Sequence, residues 1–400
     1  MDKWIKVKIS DLGQVVGGAT PSTKKDEYYN GDIAWITPKD LSDFKCRYIS
    51  RGERNITKAG MDSCSTQLLP KNTVLFSSRA PIGYVAIAEN EMCTNQGFKS
   101  VIPNENIDCL FLYYLLKFNK DKIEAMGSGT TFKEVSGSTM RNIEVTIPES
   151  KKVQVRIAAI LDAIDSKIEN NIKINNNLEQ QAQAIFKSWF IDFEPFNKTM
   201  PSDWTIGTID DLAKEVVCGK TPSTKKAEYY GSDIPFITIP DMHEKTYAVT
   251  TERYLSKLGA NSQVKKSLPK NSICVSCIGT AGLVTLVAEE SQTNQQINSI
   301  IPKDGFSPYY IYLLMQTLSD TINKLGQSGS TIVNLNKSQF GKIQVIIPAL
   351  SVMIKFDKIV SPMFEKMLQN QKENLKLTSL RDTLLPRLMS GELDVSNIEL

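Results

Sequence analysis

The sequence predicts an α+β protein in which two similar globular domains are joined by two long helices. A half-molecule repeat is the first observation, because TPSTKK at residues 20–25 recurs at 221–226, an offset of 201 in a chain of 400 residues. In each copy, segments typical of strands and short helices lead to a proline, and a long stretch with helical periodicity follows it. A duplication of this size predicts two similar domains that meet a partner with two similar sites.

The duplication extends along the whole chain. Three further segments recur with offsets of 199 or 200: LPKN (69–72 and 268–271), TNQ (94–96 and 293–295) and IxVxIP (143–148 and 343–348). Small insertions in loops explain the drift in offset. We therefore predict four parts: domain 1 (1–148), a spacer helix (149–194), domain 2 (195–348) and a second spacer helix with the C-terminal tail (349–400).

Each domain is predicted to mix strands with short helices. The start, MDKWIKVKIS, alternates apolar and basic residues, so it indicates a strand rather than a signal peptide and a cytoplasmic protein. Thr57 and Ser256 are candidate N-caps of a helix in each copy. Paired elements follow: strands at 74–77, 84–88, 273–276 and 283–288, and buried helices at 110–117 and 309–315.

The two long helices have a heptad-like seam. The first is expected to follow Pro148 and the second to follow Pro348, where Pro362 and Pro386 would kink or bound it. About 40 helical residues span roughly 60 Å. The seam positions step by three and four: Leu161, Ile164, Ile168, Asn171, Asn175, Leu178, Ala182 and Ile185 in the first helix, and Val360, Met363, Met367, Asn370, Asn374, Leu377, Arg381 and Leu384 in the second.

Two asparagines lie in the middle of each seam. Buried asparagines cost stability but specify register and orientation. Antiparallel pairing places Asn171 opposite Asn374 and Asn175 opposite Asn370, and it relates the halves by an approximate two-fold axis. Parallel pairing would match Asn171 with Asn370 but would put both domains at the same end. Because a long spacer would then be wasted, we favour a long antiparallel two-helix coiled coil.

Composition and motifs favour a binding protein over an enzyme. Hydrophobic residues make up 41% and charged residues 23%, and no apolar run reaches the roughly 20 residues of a membrane helix. Nucleotide-binding, HExxH, GxSxG and kinase signatures are absent, and His243 is the one histidine and is interpreted as a loop residue. Seven scattered cysteines do not suggest a disulfide framework, and we interpret Cys274 and Cys277 as buried strand residues. We expect no metal and no cofactor on this chain.

Several polar segments could contact nucleic acid, which a net charge of +3 permits without establishing. Lysine pairs beside tyrosine pairs could clamp phosphate, although the tyrosines are more simply explained by packing. Arg79 aligns with Ile278 of the second copy, and arginine can bind guanine through two hydrogen bonds. The loops 127–137 and 326–337 could bind DNA or simply cover the surface. The candidate DNA contacts are Lys24, Lys25, Arg79, Lys133, Lys225, Lys226, Asn334, Asn336 and Lys337.

Together these features resemble one family, the DNA-specificity subunits of type I restriction–modification systems. The segments that carry the resemblance are GGATPSTKKDEYYNGDIAWITPKDL, LFSSRAPIGYVAIA, TNQGFKS, LEQQAQAIFKSWFIDFEP and LRDTLLPRLMSGELDV, and it covers essentially the whole chain. It implies two target-recognition domains, each reading one half of a bipartite double-stranded DNA target. It also implies a coiled coil that docks two methyltransferase subunits, with two restriction–translocase subunits joining them. S-adenosylmethionine, ATP and magnesium would belong to those partners.

The resemblance leaves the individual contacts open, because recognition residues vary within the family. We predict that Phe186, Trp189 and Phe190, at the end of the first helix, dock the methyltransferase or pack on the other helix. Two other interpretations remain. The chain could serve a related system in which methylase and nuclease are fused, or it could be a structural coiled-coil adaptor that does not read DNA.

Overall fold

The computed structural model describes residues 3–129, 133–327 and 333–395. The chain divides into two compact units: unit 1 comprises Met1–Asn170 and Leu375–Leu400, and unit 2 comprises Asn171–Asn374. Each unit therefore contains one copy of the repeat together with a stretch of both long helices. Apolar residues of both long helices are buried in the core of each unit.

The described residues of unit 1 form ten strands and a set of short helices. The strands are β1 (Trp4–Lys8), β2 (Gly13–Gly17), β3 (Tyr29–Ile36), β4 (Tyr48–Ile49), β5 (Asn55–Ile56), β6 (Val74–Ser78), β7 (Ile82–Ala88), β8 (Cys93–Thr94), β9 (Lys99–Pro103) and β10 (Glu144–Pro148). The helices are α1 (Ile9–Leu12), α2 (Lys58–Asp62), α3 (Cys109–Phe118), α4 (Lys120–Ala125), α5 (Gly137–Asn142) and the first half of α6 (Lys151–Phe190). The end of α13 (Leu350–Met389) also belongs to this unit.

Unit 2 repeats this order. Its strands are β11 (Thr205–Thr208), β12 (Ala213–Cys218), β13 (Tyr230–Ile237), β14 (Tyr247–Ala248), β15 (Arg253–Leu255), β16 (Ile273–Ser276), β17 (Val284–Val287), β18 (Gln292–Thr293), β19 (Ile297–Pro302) and β20 (Gln344–Ile347). Its helices are α7 (Ile209–Leu212), α8 (Ile239–Met242), α9 (Lys257–Asn261), α10 (Pro308–Thr317), α11 (Ser319–Gly326), α12 (Lys337–Gly341) and most of α13 (Leu350–Met389).

The two units have the same sheet topology. In unit 1 a five-stranded sheet has the order β2-β9-β6-β7-β4, a three-stranded sheet has the order β5-β3-β8, and β1 pairs with β10. In unit 2 the corresponding orders are β12-β19-β16-β17-β14, β15-β13-β18 and β11 with β20. The matched strand orders confirm that the sequence repeat is a structural repeat.

Short helices cover the five-stranded sheets and carry much of each core. Tyr114 of α3 and Tyr310 of α10 are fully buried, as are the central strand residues Phe76 and Val275. The cores extend to the long helices, where Leu161 of α6 is fully buried in unit 1. The predicted N-caps are confirmed: the Thr57 hydroxyl accepts from Gly60 N and the Ser256 hydroxyl from Gly259 N, at 3.1 Å each.

The long helices differ from their prediction at the prolines. α13 continues through Pro362 and Pro386 to Met389, so neither proline bounds it. A helix loses one backbone hydrogen bond at each proline, and the packing of its apolar face compensates for that loss. Within the described residues, no helix is long and apolar enough to cross a membrane.

Candidate nucleic-acid interface

A lysine–tyrosine pair stands on the same turn of both domains. In domain 1, Lys25 Nζ donates to Tyr28 Oη at 3.0 Å and lies 4.9 Å from the centre of its ring. In domain 2, Lys226 Nζ donates to Tyr229 Oη at 3.0 Å, with 4.8 Å to the ring centre. The hydrogen bond to Tyr28 raises the pKa of the Lys25 ammonium group, so its charge is retained at neutral pH.

The second tyrosine of each pair anchors this lysine loop. Tyr29 is 4% exposed, and its hydroxyl donates to Pro21 O at 2.7 Å. Tyr230 repeats the contact with Pro222 O at 2.9 Å. The packing interpretation is therefore confirmed for Tyr29. The predicted Lys24 and Lys225 are exposed beside their neighbours, so each domain presents two adjacent cations on an anchored loop.

The loop is also tied to the segment that follows the third strand of the small sheet. Thr20 Oγ1 donates to Gln96 Oε1, and Thr221 Oγ1 donates to Gln295 Oε1 at 2.8 Å. A glycine permits this approach, because a Cβ at Gly18 would lie 2.1 Å from the Thr94 carbonyl oxygen. The lysine–tyrosine, tyrosine–proline and threonine–glutamine contacts are therefore the same in both domains. We call this repeated set of contacts the shared frame.

Arg79 belongs to a cluster of three charged side chains in domain 1. Its Nη1 lies 3.5 Å from Glu134 Oε2, and Lys99 Nζ lies 3.3 Å from Glu134 Oε1. The Arg79 and Glu134 side chains are 36% and 37% exposed, and that of Lys99 is 15% exposed. Lys99 and Glu134 were not among the contacts predicted from the sequence. The signal that could have found them is charge at positions where the second copy is neutral.

Domain 2 has neutral residues at the same three positions. Ile278 replaces Arg79 and forms a backbone bridge with Asn334, which replaces Glu134. Asn298 replaces Lys99, is 2% exposed and donates its amide to Leu335 O at 3.2 Å. The two domains therefore share a frame but differ in charge at these three positions beside it.

The remaining predicted contacts lie on the loops 127–137 and 326–337. Lys133 is exposed next to Glu134, and Lys337 is exposed at the start of α12. Asn336 is the N-cap of α12, and its Oδ1 accepts a hydrogen bond from Gln339 N at 2.9 Å. This oxygen therefore stabilises the start of the helix. Of the loops 127–137 and 326–337, residues 130–132 and 328–332 lie outside the described residues.

The four seam asparagines meet within unit 2. The Asn171 amide donates to Asn374 Oδ1 at 2.8 Å, and the Asn370 amide donates to Asn175 Oδ1 at 2.8 Å. Asn171 is 1% exposed and Asn370 is fully buried. As residue numbers rise along α6, the numbers of the partners fall along α13. The long helices thus pack together through polar as well as apolar residues.

The aromatic residues at the end of α6 face the interior. Phe186 and Phe190 are each 3% exposed, and Phe190 lies 5.0 Å from Phe356 of α13 and 4.8 Å from Tyr310 between ring centres. Trp189 is half-buried and lies 6.0 Å from Phe356. The docking role that we considered for Phe186 and Phe190 is corrected, because both rings are enclosed in the core of unit 2. The alternative, packing on the other helix, describes them.

A buried ionic network attaches domain 1 to α6. Arg47 is 5% exposed, and its Nε lies 3.0 Å from Glu169 Oε1. Its Nη1 also pairs with the Asp162 carboxylate, and its Nη2 donates to Ser166 Oγ at 2.8 Å. Burial acts to lower the pKa of the guanidinium, but the hydrogen bond to Glu169 and the nearby carboxylates outweigh it and raise the pKa.

A second buried carboxylate links three elements of unit 1. Asp165 of α6 accepts from Tyr114 Oη at 2.8 Å and from Arg381 Nη1 of α13 at 2.9 Å. Burial, and then the charge of Asp165, raises the pKa of Tyr114, so the phenol keeps its proton. Unit 2 uses neutral groups instead, since Tyr312 and Gln316 both donate to Glu179 Oε1, at 2.9 and 3.1 Å.

Cys274 and Cys277 are both buried, Cys274 in β16 and Cys277 directly after it, and His243 lies in a loop. Burial raises the pKa of both Cys274 and Cys277 to about 12, so these buried thiols stay protonated. His243 lies exposed in the turn after α8, as the sequence predicted. Across the described ranges, no group of three His, Cys, Asp or Glu side chains is placed to hold a metal ion.

The two domains thus repeat one arrangement of lysine, tyrosine, threonine and glutamine contacts and differ in charge beside it. The family model described as the type I restriction modification DNA specificity domain matches residues 1–180 and 201–377. This chain belongs to that family. The match covers both units and most of each long helix, in agreement with the resemblance seen in the sequence.

Named relatives are similar along nearly the whole chain. The type I restriction enzyme MjaIX specificity subunit of Methanocaldococcus jannaschii is 36% identical, covering 99% of this chain and 94% of its own. The HindI specificity subunit of Haemophilus influenzae is 35% identical, covering 81% and 87%. The crystal structure of a type I restriction–modification S subunit from M. genitalium superposes with a TM-score of 0.65 at 19% identity, over 97% of this chain and 96% of that one. This last likeness concerns the fold.

Proposed function

We propose that this chain is the DNA-specificity subunit of a type I restriction–modification complex. Each domain reads one half of a bipartite, gapped double-stranded target, and the chain itself is non-catalytic. The family match over both domains carries the proposal. The repeated frame of exposed lysines, tyrosines and polar loops supports it, because phosphate contacts position a protein on DNA in the same way at each half-site.

The long helices are proposed to be an antiparallel coiled coil that spaces the domains. The support lies inside each unit: Asn171 pairs with Asn374 and Asn175 with Asn370, and Asp165 pairs with Arg381. Forty residues of helix span roughly 60 Å, which exceeds one ~34 Å turn of DNA. A spacer of that length leaves an unread gap between the half-sites.

The catalytic work is assigned to partner subunits. We propose that two methyltransferase subunits dock on the helices and that two restriction–translocase subunits join them. S-adenosylmethionine, ATP and magnesium would bind to those partners. The absence of nucleotide-binding signatures from this sequence is consistent with that division of labour.

Methylation sequencing of cells that carry this chain with its methyltransferase tests the proposal. We expect a gapped, two-part methylated motif that disappears when this gene is deleted. A short continuous motif would contradict two separately read half-sites. If no new methylation arises, DNA binding by the purified complex decides, and failure to bind any duplex would favour a structural adaptor.

A further inference from the structure

The two domains must differ somewhere if they read different half-sites, and their shared frame cannot supply that difference. The lysine–tyrosine pairs and the threonine–glutamine ties are the same in both, down to hydrogen-bond partners. Contacts of this kind to phosphate carry no direct sequence information. Specificity therefore has to come from side chains that diverge on the same surface.

We infer that Arg79, Lys99 and Glu134 form the base-reading cluster of domain 1 and that Arg79 binds a guanine base. This inference rests on the proposed function. Both cations converge on Glu134, at 3.5 and 3.3 Å. Lys99 lies within 3.5 Å of the carbonyl oxygen of Gln96, so the cluster adjoins the shared frame. At these three positions beside that frame, domain 1 is charged and domain 2 is neutral.

Glu134 orients the Arg79 guanidinium and leaves some of its N–H donors available to bind a base. Glu134 engages one nitrogen of Arg79, and a guanidinium has five N–H donors, so donors remain for guanine O6 and N7. Both side chains are more than a third exposed, and such ion pairs are weak enough to rearrange when DNA arrives. Lys99 is less exposed and holds the other carboxylate oxygen in place.

The counterpart in domain 2 has a different chemistry. The Ile278 side chain has no hydrogen-bond donor, and the Asn298 side chain is 2% exposed and donates to Leu335 O inside the domain. Asn334 is exposed, and an asparagine amide pairs with adenine N6 and N7. The structure thus assigns charged reading to domain 1 and amide reading through Asn334 to domain 2.

The test uses the full complex with its methyltransferase in cells, read by methylation sequencing. Arg79→Lys, Glu134→Gln and the triple variant Arg79→Ile/Lys99→Asn/Glu134→Asn are compared with wild type. We expect one half of the gapped motif to relax at a guanine, with about a 5- to 150-fold loss of discrimination, while the other half is unchanged. Asn334→Ala is expected to relax only the other half.

Glu91→Gln is the matched control, because Glu91 is an exposed carboxylate of the same domain outside the cluster. It should leave both halves unchanged. A short continuous motif from the wild-type complex, or no binding of that purified complex to any duplex, would contradict the proposed function itself. A gapped wild-type motif that all cluster variants leave intact would overturn this inference alone. Equal loss of binding to both half-sites, measured with the purified Arg79→Lys complex, would also overturn it.

Discussion

Single residues show how one framework serves two different domains. Arg47 of domain 1 aligns with Thr246 of domain 2, at the offset of 199 that holds in this part of the repeat. Arg47 binds two carboxylates of α6, whereas Thr246 donates to one, Glu179, at 3.2 Å. The same position therefore attaches each domain to its stretch of helix, once through charges and once through neutral donors.

Arg47→Met should destabilise unit 1. The substitution leaves the Glu169 side chain, which is 13% exposed, without its cation, and removing one partner of a buried pair costs about 3 kcal/mol. Urea unfolding of the variant measures the loss. Lys71→Met, at an exposed position, is the control and should change little. Adding Glu169→Leu to Arg47→Met should restore much of the stability, and a further loss would contradict the explanation.

The lysines of the shared frame should act on phosphate. Lys25→Ala and Lys226→Ala are each expected to weaken DNA binding for all sequences, and to reduce the slope of log affinity against log salt by about 1. Binding titrations of the complex at several salt concentrations measure the slope. Tyr28→Phe, which keeps the ring but loses the hydroxyl that Lys25 binds, should preserve the slope. An unchanged slope in both lysine variants would remove these residues from the interface.

At the scale of elements, the repeat predicted strands and short helices well because their signals are local. The strand predicted at 273–276 is observed at Ile273–Ser276, and the helix predicted at 309–315 is observed at Pro308–Thr317. Of the two effects predicted for the prolines, bounding the helix was wrong, because tertiary packing overrides a local preference there. Pro362 disfavours helix by its chemistry, yet α13 continues because its neighbours Val360 and Phe364 are fully buried.

The buried seam asparagines should reduce the stability of the helix pair. The Oδ1 atom of Asn370 is buried without a hydrogen-bond partner among the described residues, so the pair with Asn175 is only partly satisfied. Asn175→Leu alone removes the acceptor of a buried amide and should cost about 1–3 kcal/mol. The double variant Asn175→Leu/Asn370→Leu should recover that stability. Thermal unfolding of both variants is the measurement, and a double variant no better than the single would contradict it.

At the scale of the whole molecule, stability is divided between two cores. Each unit has its own apolar clusters, which include residues from both long helices. Periodicity in the sequence predicts an apolar face on each long helix but not what covers that face. In the structure each domain covers part of that face, and Phe186 and Phe190 are buried for this reason.

Two variants should therefore affect different parts of the unfolding profile. In calorimetry, Arg47→Met is expected to lower the unfolding temperature of unit 1. Trp204→Ala should lower the free energy of unfolding of unit 2 by about 3–5 kcal/mol. Trp204 is 3% exposed, and its ring centre lies 5.6 Å from that of Phe190. If both variants shift one common transition, the two units unfold together.

The sequence alone determined the duplication, the α+β elements, the long helices and the family, because repeats, periodicity and motifs are written in local order along the chain. It also identified Arg79 and the lysine loops as candidate contacts. Only the tertiary structure brought Lys99 and Glu134 to Arg79, since these three residues are up to 55 positions apart and meet through sheet pairing and a loop. It likewise decided that the aromatic end of α6 is core, because burial depends on which surfaces meet in three dimensions.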